Sequence, residues 1–255
     1  DFRSKSLSVV RTNQQEYIAS ETRLGQISEA KASQLLEQIN KSILDLVGIK
    51  TPSPAIPKST RLKLLMLTSN PFQTAELNLK EEHSRIAEKL QEKPDLFTLI
   101  YKKAVDDEEF KQFTETEKPH ILHFSGHGES EDSEGIIVQN ENKNGSAMIS
   151  NDALDALFEY LAEEVKIDLQ AVVLNACYSD GQAQIISKYV PHVIGTTADI
   201  GDSKAIAFSV GFYFKLAESG ADYVMAYKSG RTQARMKGAK KSNFVLYKDG
   251  VKFEA

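Results

Sequence analysis

Hydrophobic and polar positions change their period along this chain, and the change divides it. Within residues 1–50, Ala32, Leu36, Ile39, Ile43 and Leu46 recur at helical spacing, with Glu37, Gln38, Lys41 and Asp45 between them. Such a stripe predicts an amphipathic helix, with Ser28 as its cap, after an earlier helix ended by Gly25. Pro52, Pro54 and Pro57 then forbid a helix and predict an extended linker over 51–58. From residue 59 onward, short apolar runs alternate with amphipathic stretches. The runs Leu62–Leu67, Leu96–Tyr101, Pro119–Phe124, Ala171–Leu174, Val193–Thr197 and Phe244–Tyr247 read as strands. Thr74–Leu90, a short stretch opening at Asp106, Asn151–Leu161, Gln182–Tyr189, Ser203–Ala217 and Tyr223–Met236 read as helices. Gly135–Val138 and Ser146–Ile149 flank the turn signal Asn144-Gly145 and predict a hairpin. Strands separated by helices call for an α/β fold in three layers, a mainly parallel sheet covered on both faces and preceded by the N-terminal helical segment.

Composition narrows the class. The hydrophobic fraction of 41% supports a full core, and no run of 18 apolar residues is present to span a bilayer. The first residues lack the apolar core of a signal peptide, and the chain starts without Met, so it is expected to begin inside a longer one. Cys177 is the only cysteine, which points to a reducing, cytoplasmic setting. The net charge of −5 argues against a nucleic-acid partner, and the basic run Lys228, Arg231, Arg235, Lys237, Lys240 and Lys241 reads as a solvated face or docking patch.

The candidate chemistry sits where two strands end. Ala171–Leu174 has the apolar continuity of a strand buried on both faces, and Cys177 follows just beyond it. Fifty residues earlier the strand Pro119–Phe124 runs into Ser125-Gly126-His127-Gly128. Ligands of parallel sheets gather beyond the carboxyl ends of strands, so both groups are expected at one mouth. His123, inside the strand, is expected to be a hydrogen-bonded core or flank histidine, whereas His127 lies between two glycines that permit a sharp turn. Histidine beside cysteine is the minimum for thiol nucleophile catalysis, because the attacking species is the thiolate and an imidazolium stabilises it. The amides of Gly128 and Cys177 are natural oxyanion donors. The alternative at this point is a structural cysteine and a satisfied histidine.

HFSGHG followed by LNACYS in an α/β pattern resembles the CHAT branch of caspase-like cysteine peptidases, within the group that contains caspases, separases and gingipains. SNP after the first strand and the GTT and DSKAIAF segments extend the resemblance over about Lys63 to Phe253. The caspase signature QAC-x-G is absent, so aspartate specificity is not carried over. The resemblance implies His127 as general base and acid, Cys177 as nucleophile, Gly128 and Cys177 as oxyanion donors, and a protein substrate. Relatives that cut after Arg or Lys carry a pocket carboxylate on the loop that here contains Asp199 and Asp202, and Asn175 is assigned to the same substrate-binding side. Asp202 could instead be the N-cap of the following helix. No cofactor and no metal ligand set is implied, although some relatives need calcium. The acidic loop Glu129, Glu131, Asp132 and Glu134 reads as solvated, with steering of a basic substrate as its alternative. Within residues 1–50, LGQISEAKASQLLEQINKSILDL resembles the end of the effector-associated helical modules of bacterial defence systems, which implies recruitment by a sensor or regulatory protein; the alternative is a helical hairpin packed on the main domain. Two rivals remain: a catalytically idle caspase-like adaptor, and a flavodoxin-like receiver, against which the absence of any phosphate-loop motif counts.

Overall fold

The structure, a computed structural model, describes residues 61–71, 74, 77–128 and 135–254. The expected N-terminal helices, the linker and the acidic loop 129–134 lie outside the described residues. Five parallel strands form the centre: β1 (Leu62–Thr68), β2 (Phe97–Lys103), β3 (Ile121–Ser125), β6 (Ala171–Asn175) and β7 (His192–Thr196). The order across the sheet is β2-β1-β3-β6-β7-β8-β9, with β8 (Phe244–Lys248) and the short β9 (Val251–Lys252) antiparallel to their neighbours. A hairpin of β4 (Gly135–Gln139) and β5 (Ser146–Ser150) stands apart as a second sheet. Its turn closes on the Asn140 side chain, whose Oδ1 accepts from the amides of Asn144 and Gly145.

Strand alternation sorts the core into two layers. Leu64, Met66, Ile121 and Val173 face α1 (Leu79–Gln91), α5 (Asp202–Ser219) and α6 (Tyr223–Met236). Leu65, Leu67, Leu122 and Leu174 face α2 (Asp107–Glu117), α3 (Asn151–Glu163) and α4 (Asp180–Ile186). Both faces of the sheet are thus buried, which is why Leu64–Leu67 of β1 and Ala171–Leu174 of β6 read as continuous apolar runs rather than alternating ones. Asp106 caps α2 in a reciprocal box with Glu109, as the acidic start of that stretch suggests. No helix among the described residues is long and apolar enough to cross a membrane.

Aromatic packing anchors α5 and α6 on the sheet. Phe208 stacks on Phe244 with centroids 4.2 Å apart and meets Phe212 and Tyr227. Its ring is buried, and Gly230 leaves room for it, since a Cβ there would lie 3.0 Å from the Phe208 ring and 2.7 Å from the Phe208 carbonyl oxygen. Phe208→Ala is expected to cost about 3–5 kcal/mol through lost transfer and a residual cavity, read as a lower midpoint in denaturant at unchanged slope.

The structure differs from the expected elements in detail. The helix after β1 begins at Leu79 and not Thr74, and α4 runs over Asp180–Ile186. Strand β9 has no apolar run to announce it. Asp202 is the first helical residue of α5 rather than its cap, which is Gly201 at φ 66°. The Asp202 carboxylate accepts from the Asn78 amide at 2.9 Å, so its side chain joins the start of α1 to the start of α5.

Candidate active site

Two strand ends converge because β3 and β6 are neighbours in register. Ser125 pairs with Asn175, and Gly126 donates to the Asn175 carbonyl at 3.4 Å. Past that point both strands stop, and His127 and Cys177 line one open cavity of about 240 Å³ beyond the sheet. Asn175, Gly128, Asp199 and Asp202 line it too, so each sequence-derived site residue reaches this one space. Gly128 is there for contact and not for turning. A Cβ on it would lie 1.7 Å from the Cys177 carbonyl oxygen, so the two loops touch backbone to backbone.

The turn carrying Cys177 is fixed on both sides. Ser179 donates from Oγ to the Leu174 carbonyl and accepts from the Thr196 amide, while Thr196 donates to the Ala176 carbonyl at 2.6 Å. Tyr178, directly after the cysteine, adopts φ 57°, a left-handed conformation that a bulky residue takes up only where its surroundings enforce it. Cys177 is half-buried.

His127 is held from two directions. Its carbonyl accepts from Ile137 in the hairpin at 3.3 Å, and its Nε2 lies 2.9 Å from Asn70 Oδ1. An amide oxygen only accepts, so this contact assigns the proton to Nε2 and leaves Nδ1 as the basic nitrogen of the neutral ring. Asn70 belongs to the SNP segment after β1, yet nothing in the residue pattern alone ties it to His127, since 57 positions separate them.

The resting thiol is turned toward the loop after β7. Cys177 Sγ donates to Asp199 Oδ1 at 3.4 Å, and Asp199 also accepts from the Gly201 amide at 3.2 Å. Burial pushes the thiol above its ordinary range, the Asp199 carboxylate adds to the rise, and the amides of Ile200 and Gly201 offset part of it. A raised value means less thiolate at neutral pH. Asp199→Asn removes the hydrogen bond to an anion and the repulsion, so the thiol value falls and the alkylation profile moves to lower pH. We expect iodoacetamide to modify Cys177 roughly threefold to tenfold faster at pH 7 in that variant, followed by intact mass.

Beneath the cavity lies a polar cluster that sequence reading did not anticipate. Glu82 of α1 is 2% exposed and lines the cavity floor. Its Oε1 accepts from Asn175 Nδ2 at 2.6 Å and from Ser209 Oγ at 2.7 Å, and lies 3.2 Å from His123 Nε2. His123 also meets Ser125 Oγ at 2.8 Å and the Tyr213 hydroxyl at 2.9 Å. Burial alone pushes the Glu82 carboxyl up, but the hydrogen bond and electrostatic attraction of His123, with hydrogen bonds from Ser209 and Ser125, outweigh it and hold the group below its ordinary range. His123 is therefore the hydrogen-bonded core histidine that its position in the strand suggests. An apolar stripe on α1 interrupted by Glu82 was the one available signal, and it is lost among the charges of that helix.

With this geometry in place, comparison with known proteins identifies the lineage. A family model described as "CHAT domain" matches residues 6–243. The chain belongs to the CHAT domain family. The CHAT match begins at residue 6 and so takes in most of the N-terminal segment, which the resemblance read from motifs alone did not reach. A Gillisia limnaea protein named "Probable protease" is 27% identical over 155 residues, 60% of this CHAT chain and 26% of that protein. The chain thus spans about a quarter of the length of that curated relative. Among solved structures, a secreted C11 cysteine protease from Bacteroides thetaiotaomicron in complex with an irreversible peptide inhibitor superposes with a TM-score of 0.53 at 12% identity, over 74% of this chain and 67% of that one. The Arg-specific cysteine proteinase gingipain R superposes with a TM-score of 0.51 at 12% identity, over 74% and 46%. The CHAT chain has the fold of caspase-like cysteine proteases, a mostly parallel sheet between helices.

Proposed function

We propose that the chain is a cysteine endopeptidase working through Cys177 and His127. The observation that carries this reading is that both side chains line one cavity at the carboxyl ends of adjacent parallel strands. The thiol proton passes to His127 Nδ1, the sulfur attacks the peptide carbonyl, and the amides of Gly128 and Cys177 receive the oxyanion. The C–N bond breaks as the imidazolium protonates the leaving amine. Water then cleaves the thioester, releasing the acid and returning the proton to sulfur. Asn70 fixes the histidine ring through Nε2.

The preferred substrate is a polypeptide with Arg or Lys before the scissile bond, because carboxylates line the cavity beside Cys177. The thiol's bond to Asp199 fits a latent enzyme that a regulator switches on. By the CHAT resemblance that regulator is a sensor protein reached through residues 1–50, in a bacterial antiviral defence effector. A cytoplasmic setting rests on the single cysteine.

The test is covalent labelling of Cys177 by an acyloxymethylketone peptide bearing P1 Arg, together with hydrolysis of the matching peptide. Labelling of wild type that disappears in His127→Ala supports the reading. Equal labelling of both proteins, with no hydrolysis by either, sinks it in favour of an idle adaptor.

A further inference from the structure

The cluster under the cavity centres on a buried carboxylate, Glu82, that no Lys or Arg among the described residues pairs with. The Tyr213 phenol is fully buried, and burial raises it well above its ordinary range, so its hydroxyl remains a donor. Its hydrogen-bond partner is His123 Nδ1, while His123 Nε2 faces Glu82 and Ser125. His123 is thus the basic group beside Glu82, which forms no ion pair with Lys or Arg among the described residues. A buried carboxylate is expensive to keep ionised, and a cationic donor reaching it would offset part of that cost. Next to it, Asn175 spends its amide hydrogens on Glu82 and Ser209, while its buried Oδ1 has no partner among the described residues. Both groups line the cavity that holds Cys177, only two positions beyond Asn175, and Ala205 and Ile206 supply an apolar wall. One anion and one unpartnered acceptor at the bottom of an apolar-walled slot match a long aliphatic side chain ending in a cationic donor.

We propose that Glu82 is the anionic floor of the P1 pocket and Asn175 Oδ1 its second acceptor, together taking the ammonium or guanidinium of a P1 Lys or Arg. This rests on the endopeptidase reading and relocates the specificity charge. Asp202 is occupied with the Asn78 amide and Asp199 with the thiol and the Gly201 amide, so both stand at the mouth. His123, Ser209 and Tyr213 are positioning residues that hold Glu82 ionised and aimed.

The test compares wild type, Glu82→Gln, Glu82→Asp and Asp202→Asn on peptides identical except for P1 Arg, Lys or norleucine. In Glu82→Gln the preference in kcat/KM for a basic P1 over norleucine is expected to fall about 100-fold. Glu82→Asp should retain a basic preference, and Asp202→Asn should keep most of it. An unchanged preference in folded Glu82→Gln, or its loss in Asp202→Asn alone, overturns the proposal, whereas a purely structural role would lower the melting temperature without moving the ratio. If Glu82→Gln does not fold, protection of the wild-type thiol decides. N-butylguanidinium should slow iodoacetamide alkylation of Cys177 in wild type and equally in Asp202→Asn, and N-butylurea should not. Equal protection by both compounds, by neither, or protection lost in Asp202→Asn, overturns it. Cation protection in a protein that cleaves no peptide would leave the pocket standing and remove the endopeptidase reading.

Discussion

Replacing His127 by alanine is expected to lower peptide hydrolysis at least about a thousandfold while leaving the melting temperature nearly unchanged. The imidazole serves two steps, accepting the thiol proton and protonating the leaving amine. A thiol already raised by burial and by Asp199 has little thiolate without it. The side chain sits at a strand end on the cavity, and its backbone anchor to Ile137 survives truncation, so folding should not suffer. Initial rates on a P1 Arg peptide, with Cys177→Ala as the floor, measure the effect. Hydrolysis within tenfold of wild type would show that another group moves the proton. The partner variant Asn70→Ala should retain more activity, since it removes only the bond that orients the ring.

Gly128→Ala is expected to damage both stability and chemistry by adding one methyl group. That methyl would lie 1.7 Å from the Cys177 carbonyl oxygen and 2.8 Å from its carbonyl carbon, and neither atom can rotate away as a flexible side chain could. Either loop must retreat, and the Cys177 turn is already pinned by Ser179 and Thr196. A cost of about 3 kcal/mol or more follows, together with loss of hydrolysis even where the protein stays folded, because the amides of Gly128 and Cys177 separate. Gly181→Ala is the matched control, since no atom lies within 4 Å of a Cβ there, and it should melt at or slightly above wild type. Thermal melting and hydrolysis of the pair settle the matter, and equal melting temperatures for the two variants would refute the packing argument.

Much of the architecture was legible because burial on both faces writes itself into composition. β1 and β6 could be read from the apolar runs Leu64–Leu67 and Ala171–Leu174, and the β4–β5 hairpin from Asn144-Gly145. Less visible were β9, which has two exposed residues, and the start of α1, whose first turn is acidic rather than apolar. Asp202 illustrates a limit of local rules. A capping residue before a helix is the usual reading, but a carboxylate drawn to an amide 124 positions away enters the helix itself.

The sequence by itself determined the fold class, the parallel strands and the two loops bearing His127 and Cys177, since periodicity and strand-end position are local properties. Only the tertiary structure decided what those residues touch. It paired His127 with Asn70, turned the thiol to Asp199, pressed Gly128 onto Cys177, and gathered Glu82, His123, Asn175, Ser209 and Tyr213 from two strands and two helices into one buried cluster. The physical reason is that a hydrogen bond between residues 41 to 127 positions apart has no period to betray it. It exists only once the sheet order and register have brought those faces together.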